Sequence, residues 1–261
     1  TTPQHSSAAS DVYKRQLSTI LAPYAEFVVK PAHGSGGDGI LVITNRKKGQ
    51  YRKASGQLVT EAEMQHHISN ILGGIYSLGG QPDTALIEYM VKFDPVFKDI
   101  AYQGVPDIRV IVFLGVPIMS MVRLPTRMSD GKANLHQGAI GAGINITTGL
   151  TNYAVQGISN VTEHPDTDNP VIAVQVPYWD RILNIASSCY ELTGMGYLGV
   201  DIVLDEDKGP LMLELNVRPG LNIQIANRAG LVPRLNLVKK HHKHLENVEQ
   251  CVNFAKQNFS A

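Results

Sequence analysis

Hydrophobic and polar positions alternate most clearly in residues 196–222, GYLGVDIVLDEDKGPLMLELNVRPGLN. Two β-rich runs, Leu198–Leu204 and Leu211–Val217, flank the polar DEDKGP, which predicts a strand–turn–strand unit. Symmetric folding about that turn sets Asp201 opposite Glu214, and alternation puts Asn216 on the same face as Glu214. The other face carries Val200, Ile202, Leu204, Leu211, Leu213, Leu215 and Val217, an unbroken core face. A second hairpin is predicted from VPDIRVIVFLGVPIMSMVRLP, turning at Gly115–Val116–Pro117. In it Asp107 and Arg109 share a face, and a turn centred on Val116 sets Arg123 opposite Arg109.

Further strands are predicted at Phe27–Lys30 and Ile40–Thr44, on either side of the glycine-rich GSGGDG, and at Ala85–Glu88. Helical spacing appears in Thr60–Leu72, where Thr60 and Glu63 form a capping box and Met64, Ile68 and Leu72 recur on one side. It appears again in Tyr178–Thr193, with a stripe of Ile182, Ile185, Ala186, Cys189 and Leu192. The tail Val232–Ala261 reads as one polar helix, and its His241–His244 cluster reads as a solvated basic face rather than a metal site. Ser129–Leu150 shows little periodicity and is predicted to be a long loop, a feature that in a compact domain is usually functional. Thr1–Gln16 is polar and aperiodic; its SSAASDVYKRQ resembles translated sequencing-adaptor sequence, so the expectation is a tail that replaces a lost natural N-terminus.

Length and charge narrow the function classes. The 261 residues suffice for one large domain or two modest ones. The 23 basic and 23 acidic residues cancel, which removes an electrostatic case for nucleic acid or an anionic membrane. No apolar run reaches the roughly 20 residues that span a bilayer. Cys189 and Cys251 stand far apart in no metal-spacing pattern and read as reduced thiols of a cytoplasmic protein.

The candidate chemistry lies in the polar faces and the glycine-rich loop. Asp201 and Glu214 are like charges placed opposite one another, an arrangement that a cation stabilises. Oxygen donors of this kind, with Asn216, suit Mg²⁺ or Mn²⁺; the alternative is a solvated face, or acids paired with Arg218. GSGGDG has dinucleotide-motif spacing, but a strand follows where that motif requires a helix. A glycine-rich turn between strands, entered from Lys30, instead suits a lid whose N–H groups close over phosphates, against the alternative of a plain flexible turn. Two guanidiniums on one face, Arg109 and Arg123, call for an anion, which is a ligand phosphate or carboxylate or a neighbouring acid. Asn134 and His136 project at alternate positions of the long polar loop.

Together these motifs resemble an ATP-grasp ligase. The order matches: a strand lysine, the glycine-rich loop, a hinge of the I-E-Y-M type, a D-x-R strand, an N-x-H loop and the closing D…E-x-N-x-R-P-G, over about Phe27 to Leu231. Within the superfamily the chain looks closest to alpha-L-glutamate ligase-like proteins. The resemblance implies an α+β ATP-grasp fold, with a small lid subdomain at residues 17–90 and a larger mixed α/β metal and substrate subdomain at 91–261. It implies that Lys30 holds nucleotide phosphates while His33, Gly34, Ser35, Gly36, Gly37 and Gly39 close over them. Glu88, Tyr89, Met90 and Val91 would cup the adenine, with Asp94 near the ribose. Asp201, Glu214 and Asn216 would hold Mg²⁺ (or Mn²⁺), and Arg109, Arg218, Asn134 and His136 would face the acyl phosphate and acceptor. The implied partners are ATP and an amino-acid or peptide/protein acceptor, with a homo-oligomer allowed for. The rival expectations are a sugar-linked or cell-envelope acceptor, and a nucleotide-binding regulatory module without ligation. ATP-grasp ligases also carry an N-terminal domain with a further nucleotide-contacting lysine; nothing before Leu17 supplies these, so that domain is expected to be incomplete here.

Overall fold

The computed structural model describes residues 17, 19–34, 37–47 and 49–259. The reading of residues 1–16, and the phosphate role assigned to Ser35 and Gly36, fall outside the described residues. The chain forms two compact units, one ending at Met90 and the other starting at Val91.

In the first unit, alternation builds a five-stranded antiparallel sheet in the order β4–β3–β2–β1–β5. Its strands are β1 (Phe27–Pro31), β2 (Leu41–Lys47), β3 (Gln50–Lys53), β4 (Leu58–Thr60) and β5 (Ala85–Glu88). Phe27, Val29, Leu41, Ile43 and Tyr51 turn inward and meet Met64, Ile68 and Ile71 of helix α1 (Glu61–Leu72). Helix α1 begins at the expected capping box: the Thr60 hydroxyl accepts from the Glu63 backbone N–H, and the Glu63 carboxylate accepts from the Thr60 N–H.

The second unit holds a seven-stranded antiparallel sheet in the order β10–β9–β8–β7–β6–β11–β12. The central strands are β6 (Asp107–Phe113), β7 (Val116–Leu124), β8 (Ile140–Ile144) and β11 (Tyr197–Asp205). β9 (Thr151–Gln156) and β10 (Ser159–Asn160) extend one side, and β12 (Gly209–Asn216) forms the opposite edge. Helix α2 (Trp179–Thr193) forms as expected and buries Ile182, Leu183 and Ala186 in the core with Val110, Val200 and Ile202, whereas Leu192 faces solvent.

Four features depart from the sequence expectations. The β6–β7 turn lies at Leu114–Gly115, not at Val116, because both residues take positive φ (49° and 82°), the twist that a two-residue hairpin favours. With a bulge beyond Ile111, this register sets Arg123 opposite Asp107 and Met121 opposite Arg109. In the second hairpin Asp201 does face Glu214, but a bulge then pairs Ile202 with Met212. The shift exposes Met212 and Leu213, so the β12 half of the expected core face is broken; Val217 lies beyond the strand and is also exposed.

The supposed long loop contains β8, whose residues Ile140–Ile144 are all buried. Its glycines hide the alternation for a packing reason. A Cβ at Gly141 would meet the Leu135 side chain at 2.8 Å, and one at Gly143 would meet the Ala226 carbonyl oxygen at 2.4 Å. Helix α3 (Ile223–Asn227) thus lies directly on the sheet where side chains are missing. Finally, the tail is two helices, α4 (Leu231–His241) and α5 (Val248–Asn258), separated by the histidine-rich turn His242–His244.

Candidate functional site

The site face of the large sheet follows from strand register. Asp201 of β11 pairs with Arg109 of β6 on one side and with Glu214 of β12 on the other. Alternation brings Asp107 onto the same face, and Asp107 pairs across with Arg123 of β7. Asn216, opposite Gly199, completes the row at the sheet edge.

Side chains then join across that face. Arg109 grips Asp201 bidentately, Nε to Oδ1 at 2.7 Å and Nη2 to Oδ2 at 2.6 Å. Arg123 grips Asp107 in the same way, Nε to Oδ1 at 2.5 Å and Nη2 to Oδ2 at 2.6 Å, and its Nη2 also donates to Asp201 Oδ2 at 2.8 Å. The Asn216 amide adds a donor to Asp201 Oδ2 at 3.2 Å. The four ionic residues alternate in sign and are nearly closed to solvent: the side chains of Arg109 and Arg123 are 12% and 13% exposed, and that of Asp201 is 3% exposed. Paired, hydrogen-bonded charges are the form in which charge survives burial.

Burial and pairing pull the Asp107 carboxyl in opposite directions. Desolvation raises it, the Arg123 guanidinium lowers it, and burial prevails, so Asp107 is pushed up to about 6. Burial alone would lower the Arg123 guanidinium, but Asp107 and Asp201 outweigh it and hold Arg123 charged. The Glu214 side chain is exposed and makes no hydrogen bond or ion pair among the described residues. Arg218 is exposed just beyond Asn216.

The first unit gathers a second group of candidates. Lys30 of β1 and Glu88 of β5 lie on one face of an antiparallel pair and meet at 2.7 Å. Glu88, read as part of the adenine cup, therefore holds the lysine read as the phosphate ligand; an ammonium has three donors, so contact with one carboxylate leaves others for a further anion. At the loop entrance, the Asp83 carboxylate fixes His33 twice, accepting from its backbone N–H at 3.0 Å and bonding ring Nδ1 at 2.7 Å. Burial would raise Asp83, yet its bonds to His33 and Thr84 hold it below the usual carboxylate range. Gly34 bridges to Ser77 at one stem of the loop. At the other stem, Gly39 has φ +79° with the Tyr76 ring 2.6 Å from where its Cβ would be, and its carbonyl accepts from His67 Nε2 at 2.9 Å. His67 thus anchors the loop stem from helix α1. Gly37 takes φ +85° with open space around it.

The remaining candidates sit apart from these groups in the bonding pattern. Past the half-buried or exposed Glu88, Tyr89, Met90 and Val91, Asp94 caps the turn Pro95–Ile100 by accepting from Val96 N–H at 2.9 Å. Asn134 caps the turn Leu135–Gln137, accepting from the His136 N–H at 3.0 Å, and the His136 side chain is exposed. Among the described residues, no hydrogen bond joins Asn134 or His136 to Arg109 or Asp201.

Of the alternatives open for Arg123, the neighbouring acid holds, with Asp107 as that acid; Asp107 and Asp83 are residues of these groups that the sequence does not single out. Asp107 shares the period-two face of Arg109, a signal that alternation contains; Asp83 stands 50 positions from His33 with no local pattern to mark it. The oxygen donors Asp201, Glu214 and Asn216 are of the kind that suit a hard divalent cation. Among the described residues, no group of three or more His, Cys, Asp or Glu side chains is arranged to hold one. No helix there is long and apolar enough to cross a membrane, and both cysteines are free and buried, their thiols pushed up by burial.

Residues 2–240 match the model of a family described as sugar-transfer associated ATP-grasp. No curated protein matches the chain. Among solved structures, the chain is similar to the ATP-grasp ligase PsnB complexed with a minimal precursor, with 13% identity and TM-score 0.44 over 88% of this chain and 52% of that one. It is also similar to the D-cycloserine synthetase DcsG, with 15% identity and TM-score 0.39 over 91% of this chain and 61% of that one. A third similarity is to a Chryseobacterium gregarium RiPP-associated ATP-grasp ligase in complex with ADP and a leader and core peptide, with 8% identity and TM-score 0.36 over 89% and 51% of the two chains. The chain spans about half the length of the first of these structures.

Proposed function

Because the chain belongs to the sugar-transfer associated ATP-grasp family, we propose that it takes part in ATP-dependent joining of a carboxylate to an amine through an acyl phosphate. Family membership bears out the ATP-grasp superfamily and the α+β fold expected from KPAHGSGGDG and ELNVRPG. The observation that carries the activity is the β11–β12 register, which sets Glu214 opposite Asp201 and directs the Asn216 amide onto Asp201, beside Arg109.

In this reading the γ-phosphoryl group passes from ATP to a substrate carboxylate. An amine then attacks the acyl carbon, phosphate leaves with the bonding pair, and an amide forms. Negative charge gathers on phosphoryl oxygens throughout, so fixed cations and N–H donors supply the stabilisation. Lys30 and the backbone N–H groups of the glycine-rich loop bind phosphates, and His33, held by Asp83, stands at the loop entrance. Tyr89–Val91 receive the adenine and Asp94 the ribose. Arg109 has Nη1 left over from its grip on Asp201 and directs it at the acyl phosphate, with Arg218, Asn134 and His136 toward the acceptor. Asp201, Glu214 and Asn216 would hold Mg²⁺, which when bound would offset charge on the phosphoryl oxygens.

Two acceptor classes fit the chemistry. The sequence motifs point to glutamate added to a peptide or protein. The family's sugar-transfer association favours an amine on a sugar-linked or cell-envelope acceptor, and that is the reading we adopt. The test is calorimetric titration with a non-hydrolysable ATP analogue, with and without Mg²⁺, on wild type and Glu214→Gln. Mg²⁺-dependent binding that the substitution weakens by about tenfold or more, on the order of 1.4 kcal/mol, supports the ligase reading. ADP release would then be screened with amino sugars, amino acids and peptides. Binding indifferent to both Mg²⁺ and Glu214 would favour a regulatory nucleotide module.

A further inference from the structure

Helix α1 and the strands β2–β4 of the first unit enclose a cleft of about 400 Å³. Alternation along β1 turns Val29 into the core against α1 and Lys30 to the other face, so the cleft and Lys30 lie on opposite sides of the sheet. Leu41 and Val59, both buried, give the cleft an apolar wall. Two opposite charges also line it, each with bonding capacity to spare. The Lys53 ammonium gives one of its three donors to Gln57 Oε1 at 3.0 Å. Glu63 Oε2 accepts from the Thr60 N–H and hydroxyl at 2.7 and 2.8 Å, and its Oε1 takes no donor among the described residues. Lys53 and Glu63 form no ion pair with each other there, yet the Lys53 charge reinforces the Thr60 bonds that hold Glu63 below the usual carboxylate range. His67 forms a further part of the lining. Its Nε2 bonds the Gly39 carbonyl at 2.9 Å, and its ring lies 5.5 Å from that of Tyr76, which packs on Gly39. One wall of the cleft is therefore the clamp on the exit of the glycine-rich loop.

We propose that this cleft binds a free apolar α-amino acid as its zwitterion, and that the occupant stiffens the exit of the glycine-rich loop through His67. A cation and an anion held apart beside an apolar wall complement a ligand that carries both charges and an alkyl side chain. Lys53 takes its carboxylate, Glu63 Oε1 its ammonium, and Leu41 and Val59 its side chain. A ligand with one charge would leave either Lys53 or Glu63 unanswered. The volume falls in the range of small-molecule sites, about 300–1,000 Å³. An occupant that restricts His67 removes freedom that the loop stem would otherwise lose later, a coupling that needs no change of shape. The site itself stands apart from the ligase reading; only its consequence for the nucleotide rests on that reading.

The experiment uses L-leucine as probe, titrated into the full chain without nucleotide and followed by calorimetry and by ¹H–¹³C spectra of the histidine rings. Saturable binding that shifts the His67 signals is expected, and its absence overturns the proposal. Two analogues test the zwitterion: 4-methylpentanoate lacks the ammonium, and 3-methylbutylamine lacks the carboxylate. Each should bind about tenfold or more weakly than leucine, and equal binding of either one overturns the assignment. Lys53→Gln and Glu63→Gln should each weaken leucine about tenfold. Glutamine also completes a capping box, so Glu63→Gln removes the charge and keeps the start of α1. The coupling is read from the ¹⁵N order parameter of the Gly39 amide. It should rise with leucine in wild type and stay unchanged in His67→Phe; no rise in wild type, or a rise that survives in His67→Phe, overturns the role of His67. A non-hydrolysable ATP analogue should then bind several-fold more tightly with leucine present. Failure of the analogue to bind with or without leucine would sink the ligase reading, while the titrations without nucleotide decide the cleft.

Discussion

At the scale of single residues, charge and burial decide more than identity. Asp107 is a strand carboxylate gripped by an arginine, yet burial raises it to about 6 from an ordinary 3.8. A carboxyl raised in the folded state contributes stability below the unfolded value, and that contribution is lost as pH climbs through the folded one. Urea denaturation should therefore show the stability of wild type relative to Asp107→Asn falling as pH rises from about 4 to 7, with Arg123 charged throughout. A flat difference would show that Asp107 is ionised across the range. Lys30 is the other residue with a sharp expectation. Its pairing with Glu88 is partly exposed, with side-chain exposures of 20% and 39%. Breaking such a pair costs under about 1 kcal/mol of stability. Lys30→Met should thus melt close to wild type but bind the ATP analogue about tenfold or more weakly, as read by calorimetry.

At the scale of elements, two local devices hold the groups that matter. The Thr60–Glu63 capping box starts helix α1, and that helix supplies His67 to the Gly39 carbonyl. Thr60→Ala should cost about 1 kcal/mol, measured by chemical denaturation, and the change should be additive with substitutions on the large sheet. Strand β8 depends on absent side chains. Gly143→Ala would drive a methyl to 2.4 Å from the Ala226 carbonyl oxygen, backbone that cannot rotate away. The expected cost is about 1–3 kcal/mol, with a melting temperature lowered by several degrees. Because Gly143 pairs with Met121, which in turn pairs with Arg109, the disturbance should also appear in the Arg109 Nε–H signal.

At the scale of the whole molecule, each unit has its own closed core. Leu21, Phe27, Val29, Ile43, Tyr51 and Met64 belong to one cluster, and Val110, Ile118, Val122, Ile182 and Ile202 to another, with no residue in common. Two cores of different size seldom melt as one. Differential scanning calorimetry should resolve two transitions, or a van't Hoff enthalpy clearly below the calorimetric one. A single two-state transition would show that the units unfold as one. The segment after Met90 is tied into the second unit by hydrogen bonds to backbone and carboxylate oxygens. Lys92 N–H donates to Asp205 Oδ2 at 2.8 Å, Asp94 N–H to the Leu204 carbonyl at 3.0 Å, and Glu206 N–H to the Lys92 carbonyl at 2.7 Å.

Alternation and spacing by themselves determined the strands of both hairpins, the Asp201–Glu214 pairing, helix α2 and the capped start of α1, because each depends on side chains two to four positions apart or on one turn. The ATP-grasp motifs were legible for the same reason: the glycine-rich loop and ELNVRPG are contiguous. What only tertiary structure decided is which charges meet. A turn placed at Leu114–Gly115, and one bulge in each hairpin, moved Arg123 from Arg109 to Asp107 and broke the outer half of the β12 core face. Strand β8 reads as loop until helix α3 is seen on its glycines. Arg109 and Asp201 stand 92 positions apart, and His33 and Asp83 stand 50 apart. No local period links residues at such separations; only the packing of strands from distant parts of the chain brings them within hydrogen-bonding reach.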